Sequence, residues 1–137
     1  PGMAVLHFAF NGDPENPYLP HNLKKRQVVY SCTHDNNTSI GWFESLDDSA
    51  KSQIKKYLNI SGDNIGWDLF NAAIESISDF AIVPMQDLMK LGQESRLNTP
   101  GRASGNWNWR YSMNDLNSLK CKMSHFIREK LTKSGRL

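Results

Sequence analysis

Three short runs of apolar, β-branched and aromatic residues constrain this chain most: Met3 to Phe10 (MAVLHFAF), Gln27 to Thr33 (QVVYSCT) and Phe80 to Val83 (FAIV). A nearly continuous apolar run of this length fits a strand buried on both faces, as in a parallel sheet. With helical patterns between the second and third runs, the order reads as α/β with parallel strands. Three parallel strands alone would leave two long edges unpaired, which natural proteins avoid. The simplest completion is further strands upstream that close a barrel. An open, doubly wound sheet is the alternative that pattern alone does not separate, although no GxGxxG or Walker signature supports a nucleotide fold.

The connections carry their own signals. After the first run, NGDPENPYLPHN is punctuated by Pro14, Pro17 and Pro20, which favour a stiff, shaped loop. Ala50, Ile54, Tyr57 and Leu58 share a helical face, with Asp47 and Asp48 in the first turn. A second helix opens near Asp63 or Asn64 and carries Ile65, Leu69, Phe70, Ala73, Ile74 and Ile77. The stretch NTPGRASGNWNWR reads as a long loop. A final helix is expected from Ser112 or Asn114, with Leu116, Leu119, Met123, Phe126, Ile127 and Leu131 as its buried stripe.

Composition excludes several classes. A chain of 137 residues suits one domain, and 39% hydrophobic with 22% charged residues is ordinary for a folded soluble protein. No apolar run approaches the roughly 20 residues that span a bilayer, so no membrane is expected as partner. Cys32 and Cys121 make neither a metal-ligand spacing nor a disulfide framework, which suits a reducing cytoplasm. His7, His21 and His125 have no partners at metal spacing, and nothing implies a metal or cofactor. A net charge of +2 and the short Lys24-Lys25-Arg26 cluster, without interleaved aromatics, argue against a nucleic-acid partner. The chain opens at Pro1-Gly2 directly into an apolar run with no basic leader, so residue 1 is expected to be a cut point within a longer protein.

The segments PGMAVLHFAF, GDPENPYLPHN, VVYSCTHDNNTSIGWF and VPMQDLMKLGQESRLNTPGRASGNWNWR resemble, in this order, the 4-α-glucanotransferases (amylomaltases, or disproportionating enzymes) of the α-amylase clan. The likeness covers nearly the whole chain. It implies that residues 1–137 are the C-terminal segment, about strands six to eight, of a (β/α)₈ barrel that is incomplete by itself. It also implies transfer of α-1,4-glucan segments between maltooligosaccharides by a retaining double displacement. The nucleophilic Asp and the acid/base Glu would then stand on strands upstream of this chain. A catalytically incomplete chain that at most binds glucan is the competing reading, and its unpaired edges would favour self-association. The resemblance places the parent in the cytoplasm, or in a plastid if it is a plant enzyme.

Residue by residue, the resemblance makes Asp35 the transition-state stabiliser and His34 its neighbour on the sugar hydroxyls. The chemistry is consistent: an acceptor-only carboxylate on sugar hydroxyls tightens its bonds as ring charge develops, and barrel sites lie at the carboxyl ends of strands. Asn37 stands where the family commonly has Asp. Asn106 is a candidate ligand at the donor site. Trp107 and Trp109 either stack on sugar or pack beneath the loop. Phe8 either walls the glucan cleft from the first strand or packs in the core. Asp13 and Asn16 either meet sugars beyond the cleavage point or are solvated turn residues. Gln86-Asp87 either supports the site from behind or Asp87 caps the next helix. Cys32 is expected to be a small buried residue, with no base beside it to make a nucleophile.

Overall fold

The computed structural model describes residues 2–137, so Pro1 and the question of a cut there lie outside the described residues. The elements follow in the order β1 (Gly2–Val5), β2 (Gln27–Tyr30), α1 (Ser39–Glu44), α2 (Asp48–Leu58), α3 (Ile65–Ile74), β3 (Phe80–Ile82), α4 (Met85–Leu88) and α5 (Met113–Lys133), with short 3₁₀ turns between some of them. The three strands form one sheet in the order β1-β2-β3, and both pairings are parallel. The α/β architecture expected from the pattern is therefore present, with helices as the crossover between β2 and β3.

Each strand is shorter than its apolar run. The chain leaves β1 after Val5 and coils into a 3₁₀ turn over Leu6–Phe8, where the His7 amide donates to the Ser31 carbonyl at 3.2 Å. Leu6, His7 and Ala9 are buried in this turn. A continuous apolar run reports burial, and burial here continues past the end of the ladder. Ile77 also departs from expectation: α3 ends at Ile74, and Ile77 is exposed in the following loop. Helix α1 was not anticipated from the sequence. It is six residues long, opens on Thr38, whose hydroxyl accepts from the Gly41 amide, and carries too few apolar positions to show a period.

Local capping chemistry explains the longer helices. Asp47 accepts from the Ala50 amide at the start of α2, and Asn59 takes a left-handed conformation at its end (φ 54°), which asparagine tolerates better than most residues. Ser112 and Asp115 form a reciprocal capping box at the start of α5. The Ser112 hydroxyl and amide both hold the Asp115 carboxyl below the usual carboxylate range. The expected stripe of α5 packs only in its second half. Met123, Phe126, Ile127 and Leu131 lie against Trp67, Phe70 and Ile74 of α3, whereas Leu116 and Leu119 sit outside that cluster.

The sheet has two unlike faces. Ala4, Val29 and Ala81 are in register and point to the helices, where Leu6, Leu23, Phe43, Ile54, Ile65, Leu69 and Ala73 complete the main core. The alternate residues form an apolar face of which Met3, Phe80 and Ile82 are 55%, 69% and 48% exposed. Among the described residues no helix is long and apolar enough to cross a membrane.

Gly66 shows how tightly the helical layer is set. A Cβ there would come within 2.9 Å of the Asp87 carbonyl oxygen, a backbone atom that cannot rotate away. Glycine inside a helix costs roughly 0.5–1 kcal/mol relative to alanine, so its presence in α3 reflects this close approach. Gly66→Ala is expected to destabilise the full-length product of the gene by about 1–3 kcal/mol through overpacking. A lowered urea midpoint at unchanged slope would register it, and a raised midpoint would contradict it.

Candidate active site

The carboxyl ends of β2 and β3 border a hollow of about 490 Å³, lined by Tyr30 and Ile82 there, by Met3 of β1 on the same open face, and by Cys32, His34, Asn36, Gln86, Arg96 and others. His34 and Asp35 lie in the loop that leaves β2, after Ser31, Cys32 and Thr33, so the pair expected from the sequence stands beyond the carboxyl edge of a parallel sheet, where such folds place chemistry. Asp35 is at the rim rather than in the lining, with half of its side chain exposed. Its Oδ1 accepts from Asn98 Nδ2 at 2.6 Å and lies 3.3 Å from His34 Nε2. Arg96 donates to the Asp35 carbonyl oxygen at 2.7 Å. Oδ2 of Asp35 accepts no hydrogen bond from the described residues.

The loop rich in Gly, Asn and Trp closes over the same edge. The His34 and Trp107 rings are 5.2 Å apart between centroids, and Trp107 is half-exposed with a left-handed backbone (φ 62°). Its amide donates to the Leu97 carbonyl at 2.7 Å, which ties the far end of the loop to its beginning. Asn106 fixes the loop from within: Oδ1 accepts from the Thr99 amide at 2.9 Å, and Nδ2 donates to the Arg102 carbonyl at 3.0 Å. Its amide is thus engaged by the loop it closes. Trp109 sits tilted against Tyr111 rather than beside His34.

The remaining candidates lie elsewhere. Phe8 is not on a strand, and it is exposed rather than packed in the core; it stands in the 3₁₀ turn just beyond β1. Asp13 borders a separate hollow of about 230 Å³ with Phe10, His21 and Tyr57, which shares no lining residue with the first. Asn16 is not a solvated turn residue. It is buried, donates to the Phe8 carbonyl at 2.9 Å and accepts from the Tyr18 amide at 2.9 Å, holding the proline loop in shape.

Beneath the hollow lies a polar network that spacing did not reveal. Asp87, fully buried, accepts at Oδ1 from the Ser39 amide (2.8 Å) and at Oδ2 from the hydroxyls of Ser39 (2.7 Å) and Ser31 (3.0 Å) and from the Cys32 thiol (3.6 Å). Asp87 belongs to α4, yet the helix start it caps is that of α1. Burial first, and then the Asp87 charge and hydrogen bond, push the Cys32 thiol well up, so it stays protonated as a donor. His7 Nε2 lies 3.0 Å from Ser39 Oγ, whose proton is directed to Asp87, so Nε2 is the donor. The His7 ring stacks on Trp42 at 4.2 Å.

Burial lowers the His7 pKa to about 3. The ordinary value near 6.5 applies to the unfolded chain, so between pH 6.5 and 3 the unfolded state binds a proton that the folded state refuses. Stability is full above about pH 6.5 and falls with decreasing pH, by about 2 kcal/mol on going from pH 7 to 5. His7→Gln should flatten this slope in urea unfolding at the two pH values; an unchanged slope would mean that another group sets it.

A family model for 4-alpha-glucanotransferase matches residues 1–116. The chain belongs to the 4-alpha-glucanotransferase family. It is 49% identical over 139 aligned residues to the chloroplastic/amyloplastic 4-alpha-glucanotransferase of Arabidopsis thaliana, covering all of this chain and 24% of that protein. It is 42% identical over 124 residues to the 4-alpha-glucanotransferase of Thermus thermophilus, covering 85% of this chain and 25% of that protein. The amylomaltase of Streptococcus agalactiae, solved in complex with acarbose, superposes with a TM-score of 0.88 at 32% identity over 99% of this chain and 27% of that one. The chain therefore spans about a quarter of the length of these family members. The family resemblance expected from the motifs holds, and the three-stranded parallel sheet is similar to part of an amylomaltase.

Proposed function

We propose that this chain supplies the transition-state-stabilising carboxylate of a 4-α-glucanotransferase that moves α-1,4-glucan segments between maltooligosaccharides with retention. The observation that carries the reading is the setting of Asp35. Its carboxylate stands in the loop that leaves the carboxyl end of a parallel strand, with Oδ1 oriented by Asn98 and His34 and with Oδ2 open to a sugar hydroxyl. Such an acceptor gains strength as the sugar ring becomes cationic, which is when stabilisation accelerates the reaction. His34 and the exposed face of Trp107 would hold the same sugar, with Phe8 as a wall at the end of β1 and Asn106 acting at the donor site through the loop it closes. Asp13 would meet glucan further along the cleft. Acarbose in the Streptococcus agalactiae complex is a saccharide-like ligand of the kind this reading requires.

The sheet is assigned to strands six, seven and eight of a (β/α)₈ barrel. Parallel sheets are covered on both faces, and the exposed apolar face of Met3, Phe80 and Ile82 is suited to a barrel interior. The nucleophile and the acid/base would belong to the other strands. Chloroplastic and bacterial relatives support a plastid or cytoplasmic setting.

The test uses the full-length product of the gene with maltotriose as the sole substrate. Disproportionation should release glucose together with longer maltooligosaccharides. Release of glucose and maltose alone would make the protein a hydrolase, and no turnover would leave only the glucan-binding alternative.

A further inference from the structure

We propose that Asp87 is a positioning residue for Asp35, setting the pose of the catalytic loop through its two ends. The inference rests on the reading of Asp35 given above. The loop Thr33–Thr38 begins beside Ser31 and Cys32 and ends at Ser39, and the one Asp87 carboxylate accepts from all three of these residues. Ser39 in turn accepts from His7, so the turn after β1 joins the same group. A single buried charge therefore ties together the segments that follow all three strands.

Between these anchors the loop is short and internally braced. Asn36 Oδ1 accepts from the Thr33 amide (2.9 Å) and hydroxyl (2.8 Å), and the Asn36 amide donates to the Thr33 carbonyl at 3.1 Å. A braced turn moves as a unit when an anchor moves, and Asp35 moves with it. The carboxylate itself has little freedom, because α3 approaches the Asp87 backbone at Gly66 too closely to admit a methyl group. Charge-assisted hydrogen bonds are shorter and stronger than neutral ones, so a carboxylate at this point holds the loop more firmly than an amide of the same shape.

Misplacing a reacting group by about 1 Å costs on the order of 10²-fold in rate. Asp87→Asn in the full-length product is therefore expected to lower kcat on maltotriose about 10²-fold, with KM changed much less. The decisive measurement is the same substitution in an Asp35→Asn background. If Asp87 acts through Asp35, its replacement there should cost only a few-fold more, because the group it positions has lost its charge. Equal fold-losses in the two backgrounds would show a general structural role and overturn the proposal, as would no loss with Asp35 intact. Should Asp87→Asn not fold, Ser31→Ala removes one anchor while leaving Ser39 in place; a several-fold kcat loss that vanishes with Asp35→Asn supports the proposal, and an additive loss or none refutes it. Near-normal activity of Asp35→Asn alone would mark the failure as one of the Asp35 assignment itself.

Discussion

Asp35→Asn in the full-length product is expected to lower kcat/KM on maltotriose by about 10²–10³-fold, or about 3–4 kcal/mol of transition-state stabilisation. The substitution preserves size and leaves an oxygen for Asn98, so the loss isolates the charge. In the proposed role the charge acts on a cation that exists only as the glycosidic bond breaks, so the change should fall mainly on kcat. Folding should be unaffected, since the side chain is half-exposed and its partners are at the surface. His34→Ala should cost less, on the order of 10-fold, because in the proposed site it would remove hydrogen bonds to sugar rather than a charge facing the developing cation. Single-turnover rates within threefold of the unsubstituted protein for Asp35→Asn would show that this carboxylate does not meet the sugar.

The 137-residue chain by itself is expected to yield no transfer products from maltotriose. A retaining displacement needs two carboxyl groups about 5–5.5 Å apart across the scissile bond. Among the described residues lining the hollow there is no carboxylate, and Asp87 beneath it is fully buried with its oxygens engaged. On the proposed reading Asp35 at the rim supplies one carboxylate, and the described residues lining this hollow offer no pair for the nucleophile and the acid/base. The same chain should also associate in solution, since Met3, Phe80 and Ile82 present an apolar face to water. Thin-layer separation of the products after prolonged incubation checks the first expectation, and light scattering across a concentration series checks the second. Transfer at a rate comparable with the full-length product would mean that a complete catalytic set lies within these residues.

What could be read from residue order alone was whatever depends on neighbours in sequence. The three apolar runs announced three strands, and helices α2, α3 and α5 announced themselves through a 3.6-residue apolar period, with Asp47, Asn64 and Ser112 at their starts. The THDN and GNWNWR segments pointed to the family, and with it to Asp35. Short elements without a full period, such as α1 and α4, stayed hidden. So did the strand ends, because Leu6 and Ala9 are as apolar and as buried in a turn as they would be in a ladder. Contacts between residues far apart in the chain were decided only by the tertiary structure. Asn98 and Arg96 meet Asp35 from more than 60 positions away. For Asp87 the order of residues left two readings open, support of the site from behind or the cap of a following helix; once the sheet brought the strand ends together, it became the shared acceptor for Ser31, Cys32 and Ser39. The physical reason is that a hydrogen bond is short-ranged and directional while its partners' separation along the chain is unrestricted. Periodicity reports which face of an element is buried, and the packing of elements decides which polar group each buried donor finds.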